Sequence, residues 1–437
     1  MKPTLVLFAL IPTLLFSQQR ISGVFTPADE FTYAFLYHST PMSSDYVDRA
    51  QIAEDGSFAI TLDSTATPGI YKIVYALPPE EHNFDFIYSG KESVAFSYSL
   101  DEGLDFNEGQ NNILWESYTK SMEMVNRTIS NFYTQQSTDK KAFADIIKTL
   151  SETQNAYEES SKGTMASVFI KANKPYIPKG FEDLSTYSKN LKRTYLKHVD
   201  FSDPLLQSSE FLVDRVLAYV FGMNANTTDE TFMKDVDALM VKMGEGQEVI
   251  KTSLFELIWR RFKNMENTEL ANYLSDTYLM ALAKKTNYET LVEELNVYKN
   301  NAIGNKATNF DISILKDGEP QTTTLYDLNS ANQYLVIFWS SSCSHCLDEL
   351  PKVHSVLKDK KDIKVIAFAI EDAPENWQGK IDEFSDFIHV LGLEKWDNPI
   401  ANQYGVQSTP SYFLLDKNKV IIDKPYDFEA LEILLKK

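Results

Sequence analysis

Cysteine is nearly absent from this sequence of 437 residues, which contains only Cys343 and Cys346. A framework of structural disulfides is therefore excluded, because cysteines three positions apart cannot tie distant segments together. A structural zinc site is also not expected, since there is no second cysteine pair and the six histidines are scattered along the chain. We predict no metal site. Redox chemistry explains a single close pair better than stability does.

Positive charge is also scarce, with 42 Lys and Arg against 62 Asp and Glu and a formal net charge of −20. This balance argues against nucleic acid or an anionic membrane surface as a partner, because both need basic side chains to neutralise phosphates.

Long apolar runs are missing beyond the N-terminus. Even the segment Phe211–Met223 is interrupted by Asp214 and Arg215, so it is not a candidate membrane span.

The N-terminus has the order of a secretory signal. A basic start, Met1-Lys2-Pro3, precedes the apolar run Leu5–Phe16 and the polar stretch Ser17-Gln18-Gln19. The run is too short to span a bilayer and contains Pro12, so a cleaved signal is favoured over a membrane anchor. We predict a signal peptide over residues 1–17 and export to the periplasm. No cysteine lies near the cleavage region, so a lipid anchor is not supported.

Three regions with different patterns follow the predicted signal, so we expect a multidomain protein. In residues 18–108, short β-branched and aromatic runs alternate with turn pairs such as Asp55-Gly56 and Pro68-Gly69. This pattern predicts an antiparallel β-sandwich.

The next region, residues 109–299, has apolar residues at helical spacing, and we predict an α-helical region whose aromatic stripes are core. Its predicted helical segments are Ile113–Phe132, Phe143–Tyr157, Phe211–Met223, Phe232–Met243, Val249–Phe262, Leu270–Ala283 and Tyr288–Tyr298.

Residues 300–437 alternate strand and helix patterns, which is typical of an α/β fold. The predicted strands are Tyr334–Trp339, Ile363–Ile370, Ser411–Leu415 and Val420–Ile422, and the predicted helices are Leu347–Leu357, Trp377–Ile388 and Asp427–Leu435.

The cysteine pair lies where the first of these strands passes into a helix. A thiolate at a helix N-terminus is stabilised by unpaired backbone N–H groups and by the positive end of the helix dipole. The two-residue spacer lets the second sulfur reach the first. We therefore expect Cys343 to attack a substrate disulfide and Cys346 to resolve the mixed disulfide. The redox-active disulfide Cys343–Cys346 would be the only redox group, with no separate cofactor.

Residues 303–435 resemble the thioredoxin superfamily, and more closely its exported TlpA/ResA-type branch. The resemblance is carried by Gly304-x-x-Ala307-x-x-Phe310, Phe338-Trp339-x-x-x-Cys343-x-x-Cys346, Pro351, Tyr404-Gly405-Val406, Thr409-Pro410 and Phe413-Leu414-Leu415-Asp416. It implies a thioredoxin-like fold and thiol–disulfide oxidoreductase activity. Residues 18–108, through the turn Asp55-Gly56-Ser57-Phe58 and the strand start Pro68-Gly69-Ile70-Tyr71, resemble the β-rich domain of uncertain function that often precedes such modules in exported bacterial proteins.

The same resemblance implies where substrate binds. Thr409-Pro410 fits the cis-proline loop that faces the cysteines, and the Thr409 backbone would pair with an extended substrate segment. Trp339, Thr409 and Pro410 are therefore the predicted substrate-binding residues.

Two further residues near the cysteines are candidate catalytic groups. Glu349 matches the acidic residue of TlpA/ResA-type proteins and would exchange a proton with Cys346, although a solvated surface role stays open. His345 precedes the resolving cysteine, as it does in strongly oxidising DsbA-like proteins. It would stabilise the Cys343 thiolate, with a neutral imidazole in solvent as the alternative. The chain departs from cytoplasmic thioredoxins at Ile337, where they have a buried aspartate.

The predicted function is disulfide exchange with protein substrates, as a reductant or isomerase. Expected partners are cysteine-containing exported proteins, with apocytochrome c as one candidate, and a membrane thiol donor such as a DsbD-type reductase. A peroxiredoxin-like peroxidase is an alternative, but the Pro and Thr expected before its cysteine are replaced by Trp339-Ser340-Ser341-Ser342. A redox-inert binding protein is a second alternative, against which the intact cysteine pair argues.

Overall fold

The computed structural model describes residues 19–63, 65–316 and 319–436. The predicted signal segment 1–17 lies outside the described residues. The chain divides into two compact units, the first ending at Leu274 and the second beginning at Ser275. This division falls inside the range predicted to be one helical region, residues 109–299, and not at its end.

The β-rich part of the first unit consists of two sheets. One has the strand order β4-β1-β7-β8 and the other the order β3-β2-β5-β6. Neighbouring strands are antiparallel except β1 and β7, which run parallel, so the all-antiparallel prediction is wrong at this pair. The strands are β1 (Arg20–Thr26), β2 (Tyr33–Ser39), β3 (Ser44–Gln51), β4 (Ser57–Thr61), β5 (Gly69–Val74), β6 (Asn83–Tyr88), β7 (Val94–Ser99) and β8 (Gly103–Glu108).

Alternation of apolar and polar residues explains how these strands pack. In β1, Ile21, Gly23 and Phe25 are buried, while the residues that alternate with them are more exposed. Buried residues of both sheets form one continuous core, to which Phe58 and Phe96 contribute from one sheet and Ile73 from the other. The β-rich prediction is thus confirmed for this part of the chain.

Helices follow in the first unit, as the helical spacing predicts. They are α1 (Gln110–Thr134), α2 (Lys140–Ser160), α3 (Ala166–Ala172), α4 (Leu184–Thr194), α5 (Pro204–Gln207), α6 (Glu210–Leu217), α7 (Asp229–Met243), α8 (Glu248–Asn264) and α9 (Thr268–Leu274), with a π-helical turn over Ala218–Gly222. Helices α3 and α5 were not predicted, because they offer too few turns for a periodic pattern. Helix α4 spans 11 residues but was also missed, because its sequence LSTYSKNLKRT is mostly polar.

Polar side chains join the helices of this unit to its β-rich part. Asn112, near the start of α1, accepts from the backbone N–H of Ile87 at 2.7 Å and donates to its carbonyl at 2.9 Å, as another strand would. Asp85 accepts from the backbone N–H of Glu210 at 2.8 Å, at the start of α6. Lys72 lies between these two carboxylates, 2.6 Å from Glu210 and 3.6 Å from Asp85.

The second unit contains two sheets and several helices. Its strands are β9 (Asp311–Lys316), β10 (Glu319–Thr324), β11 (Gln333–Trp339), β12 (Ile363–Ile370), β13 (Ile388–Gly392), β14 (Ser411–Asp416) and β15 (Ile421–Asp423). Its helices are α10 (Met280–Lys285), α11 (Glu289–Asn300), α12 (Ser344–Leu357), α13 (Glu375–Ile381), α14 (Pro399–Gln403) and α15 (Phe428–Leu435), preceded by a π-helical turn over Ser275–Leu279.

The larger sheet has the order β13-β12-β11-β14-β15, and β9 pairs with β10 in a separate sheet. Strands β11, β12 and β13 are parallel, whereas β14 is antiparallel to β11 and β15 to β14. The parallel strands end at the same edge, where their connecting loops meet. The predicted α/β class of this region is confirmed.

The central strand β11 is covered on both faces, which explains its continuous apolar sequence. Tyr334, Val336 and Phe338 belong to one core, and Leu335, Ile337 and Trp339 belong to a second core on the opposite face. Cys346 and α15 contribute to that second core.

One predicted helix of this unit is wrong in its second half. The range Trp377–Ile388 was expected to be helical, but α13 ends at Ile381 and Ile388 begins β13. The strand β13 was therefore missed. Within the described ranges, no helix is both long enough and apolar enough to cross a membrane.

Candidate functional site

The cysteine pair lies at the junction of β11 and α12. After Trp339 the chain turns through three serines, and the N–H of Cys343 donates to the carbonyl of Ser340 at 3.1 Å. Cys343 is the N-cap residue of α12, and its sulfur accepts from the backbone N–H of Cys346 at 3.2 Å. The thiol thus occupies the position that a serine or aspartate oxygen takes at other helix starts. A thiolate there receives a hydrogen bond and the field of the helix dipole.

The two thiols differ in their exposure. Cys343 is partly exposed, whereas Cys346 is fully buried at 0% relative exposure, and both are free thiols. Burial raises the pKa of the Cys346 thiol, and the nearby Cys343 sulfur raises it further. A partly exposed attacking sulfur and a buried resolving sulfur fit the division of roles that the sequence predicts.

A loop from the start of β14 faces the first cysteine. The Thr409–Pro410 peptide bond is cis, as the resemblance implies. The Cys343 thiol donates to the carbonyl oxygen of Thr409 at 3.3 Å. Both Thr409 and Pro410 are partly exposed, so their backbone is accessible beside the reactive sulfur.

Trp339, the third predicted substrate-binding residue, has a different environment. Its side chain is fully buried at 0% relative exposure and belongs to the core that contains Cys346. A side chain with no exposed surface cannot contact a docked substrate, so the predicted contact is corrected to a core role. The physical reason is its place at the end of a strand that is covered on both faces.

Glu349 lies one turn after Cys346 on α12 and is half-buried. It is not a simple surface carboxylate, because the hydroxyl of Tyr412 donates to its Oε2 atom at 2.5 Å. Tyr412 is 2% exposed and lies in β14, two residues after Pro410. Sequence reasoning identified Glu349 but missed Tyr412. The available signal was its position in the strand that follows the cis-proline.

His345 is exposed in the first turn of α12, next to the cysteines in sequence. Its position agrees with a ring that reaches solvent beside the helix N-terminus. Among the described residues, no group of three or more His, Cys, Asp or Glu side chains is arranged to hold a metal ion.

A buried carboxylate that the sequence analysis did not single out supports the turn before Cys343. Glu371 is 5% exposed and follows the last residue of β12. Its side chain accepts a hydrogen bond from the backbone N–H of Ser341. A carboxylate held in the interior needs such donors, and in return it fixes the backbone that leads into α12.

Comparisons with known proteins identify similar sequences for the part of the chain that carries the cysteine pair. The profile of the Redoxin family matches residues 302–430. The thiol-disulfide oxidoreductase ResA of Geobacillus thermodenitrificans is 26% identical over 119 residues, which are 27% of this chain and 65% of that protein. The match therefore spans slightly less than two thirds of this curated relative.

Two solved structures are also similar to this chain. A domain of a possible thiol-disulfide isomerase from Cytophaga hutchinsonii has 32% identity, covers 31% of this chain and 91% of its own, and has a TM-score of 0.26. A thioredoxin-like protein from Bacteroides caccae has 20% identity, covers 60% of this chain and 96% of its own, and has a TM-score of 0.40.

Proposed function

We propose that this chain, whose C-terminal domain belongs to the thioredoxin superfamily and is of the TlpA/ResA type, is an exported thiol–disulfide oxidoreductase. The observation that carries the proposal is the N-cap position of Cys343, where its sulfur meets the N–H of Cys346 and the carbonyl of Thr409. This arrangement joins a nucleophile at a helix N-terminus, a resolving thiol and a partly exposed loop at Thr409-Pro410. These three features are the ones that exchange with a protein disulfide requires.

The exchange proceeds in two displacements. The Cys343 thiolate attacks one sulfur of the substrate disulfide, forms a mixed disulfide and releases the other substrate sulfur as a thiolate. Cys346 then loses its proton and attacks the Cys343 sulfur, which releases the second substrate thiolate. The enzyme ends oxidised as Cys343–Cys346, and the substrate gains two electrons and two protons. Run in reverse, the same steps recharge the enzyme from a thiol donor.

The substrates are cysteine-containing exported proteins, and the chain acts on them as a reductant or isomerase. Apocytochrome c is one candidate substrate, and a DsbD-type membrane reductase is the matching thiol donor. The cis-proline loop supports this class, because a peptide that pairs with the Thr409 backbone as an added strand presents its sulfur to Cys343. Measuring the reduction potential of the cysteine pair distinguishes a reductant from an oxidant.

The region before Asn300 recruits a client or a partner and takes no part in bond exchange. It contains no cysteine. We interpret its two β-sheets as a sandwich that serves as a binding module.

The proposal that the protein is exported rests on the signal-like segment 1–17, and N-terminal sequencing of the secreted protein tests cleavage near Ser17.

A trapping experiment tests the assignment of the two cysteines. Replacing Cys346 with Ser leaves the attacking thiol without a resolving partner, so mixed disulfides with client proteins should accumulate. Replacing Cys343 with Ser removes the nucleophile, so no adducts should form. Non-reducing electrophoresis of the purified variants measures both. Trapping by the Cys343→Ser variant alone would reverse the assigned roles.

A further inference from the structure

Tyr412 connects the cis-proline strand to the helix that carries the cysteines. Its ring packs in the same core as Cys346, and its hydroxyl donates to Oε2 of Glu349 at 2.5 Å. Because Tyr412 is 2% exposed, this hydroxyl has little access to water. The contact links residues far apart in sequence but adjacent across β14 and α12.

The surroundings keep this phenol protonated. Burial raises the pKa of Tyr412 far above its ordinary value, and the hydrogen bond to Glu349 and the negative charges of Glu349 and Asp427 raise it further. Asp427 caps α15, which packs against α12. Lys352 is a basic residue of α12, and its ammonium lies 5.9 Å from the ring of Phe428 in α15. The hydroxyl is therefore a fixed donor, and the carboxylate is its acceptor.

The buried thiol of Cys346 needs a base during the second displacement. Burial disfavours its thiolate, and water has no direct access to a side chain at 0% exposure. Glu349 follows Cys346 by three residues, which places both side chains on neighbouring positions of one helix face. A half-buried glutamate has enough rotamer freedom to turn outward into solvent. The hydroxyl of Tyr412 donates a hydrogen bond to Glu349 from the buried side and so restrains the carboxylate.

We propose that Tyr412 is a positioning residue that holds the Glu349 carboxylate beside Cys346, so that Glu349 accepts the Cys346 proton when the mixed disulfide is resolved. This rests on the proposed function. In the step, the Cys346 S–H bond breaks and its proton passes to Glu349. The Cys346 sulfur bonds to the Cys343 sulfur, and the bond to the substrate sulfur breaks. The substrate sulfur leaves as a thiolate with the electron pair of the broken bond, and it then takes up a proton from Glu349 or from water.

The two displacements can be timed separately with Ellman's reagent on the reduced full-length chain. Attack by Cys343 releases one thionitrobenzoate and leaves the other on its sulfur, and attack by Cys346 then releases the second. We expect Tyr412→Phe to leave the first phase unchanged. The second phase should slow about tenfold at neutral pH, the effect of losing one hydrogen bond to a charged group.

Two controls distinguish positioning from loss of stability. Tyr404→Phe removes another buried hydroxyl, which donates to the Thr308 carbonyl at 2.6 Å, but this residue packs in the core on the opposite face of the sheet. It should lower stability similarly and leave both phases unchanged. The second control is Tyr412→Phe in a Glu349→Gln background, where the additional substitution should have no further effect on the second phase.

The outcomes separate this inference from the function on which it rests. An unchanged second phase in Tyr412→Phe, or an equal slowing in the Glu349→Gln background, overturns the positioning role while the exchange activity stands. A missing second phase in the unaltered chain overturns the proposed function and this inference with it. Slowing of the second phase alone, abolished in the Glu349→Gln background, supports the inference.

Discussion

The sequence analysis predicts that His345, which is exposed, adjusts the reduction potential of the cysteine pair. It lies in the first turn of α12, between the attacking and resolving cysteines. An imidazolium there adds positive charge near the end of the helix that already stabilises the Cys343 thiolate. A stabilised thiolate favours the reduced enzyme, which makes its disulfide a stronger oxidant.

Replacing His345 with Pro should therefore make the reduction potential more negative. Each tenfold change in the exchange equilibrium corresponds to about 30 mV, so we expect a shift of tens of millivolts. Equilibration with glutathione buffers measures it. His354→Gln is the matched control, because this histidine lies near the far end of the same helix and pairs with Asp386 at 2.9 Å. Equal potentials for the unaltered chain and the His345→Pro variant would show that His345 does not tune the couple.

At the scale of single residues, the sequence pattern predicted the reactive cysteines and the cis-proline loop. It did not predict the buried residues that hold neighbouring groups in place by hydrogen bonds. The cysteines and Thr409-Pro410 are identified by spacing and by neighbouring strand and helix patterns. Tyr412 and Glu371 were missed because their roles depend on pairing between distant segments, with Glu349 and with the Ser341 backbone. The substrate contact predicted for Trp339 was wrong because a sequence motif identifies a residue but does not show whether its side chain is buried.

At the scale of elements, Asp85 is a pH-sensitive contact between β6 and α6. Burial, followed by the negative charge of Glu210, raises its pKa to about 6 from 3.8, and the nearby Lys72 offsets only part of this. Between these two values, the folded chain binds more protons at Asp85 than the unfolded chain does. The free energy of unfolding of the first unit should therefore fall as the pH rises through this window.

Asp85→Asn removes this titration while keeping an oxygen acceptor for the N–H of Glu210. We expect the variant to match the unaltered chain near pH 4 and to be more stable near pH 7, by at most about 3 kcal/mol. Calorimetry at both pH values measures the difference. Asp101→Asn, at an exposed position of the same unit, should change neither value. A variant destabilised at both pH values would mean that the Asp85 charge stabilises this contact.

The predicted elements were most accurate where one pattern persists over several turns. Helix α8 was expected over Val249–Phe262 and spans Glu248–Asn264, and β12 was predicted with its observed bounds. Strand β13 was assigned to a helix because Phe384 and Phe387 continue the apolar spacing of α13. Both side chains pack in the core that contains Cys346, so a pattern set by tertiary burial was read as a helical face.

At the scale of the whole chain, the second unit includes a helix that precedes the sequence-based boundary at residue 300. Leu291 and Leu295 of α11 are buried, at 2% and 0% exposure. The side chain of Asn301, just after the helix, donates to the carbonyl of Gln403 at 2.7 Å. A Cβ atom at Gly405 would lie 3.0 Å from Val297, so the helix and this turn are in close contact.

A fragment of residues 275–437 should therefore be more stable than one of residues 300–437. Without α11 the fragment loses the packing of Val297 against Gly405, which we expect to cost on the order of 1 kcal/mol and to lower the unfolding temperature by a few degrees. Thermal unfolding compares the fragments, and insulin reduction compares their activity, which should be equal. If the shorter fragment unfolds at the same temperature, α11 does not stabilise this unit.

The parallel pairing of β1 with β7 has a consequence for the order of folding. Ile21 lies opposite Val94, so β1 is synthesised long before this neighbour exists. Contacts between residues so distant in sequence form slowly, because a long loop must close first. Helices α1 and α2 are consecutive and pack against each other, so their contacts are local. On its side facing β7, strand β1 should thus be among the last parts of its unit to gain protection from hydrogen exchange during refolding.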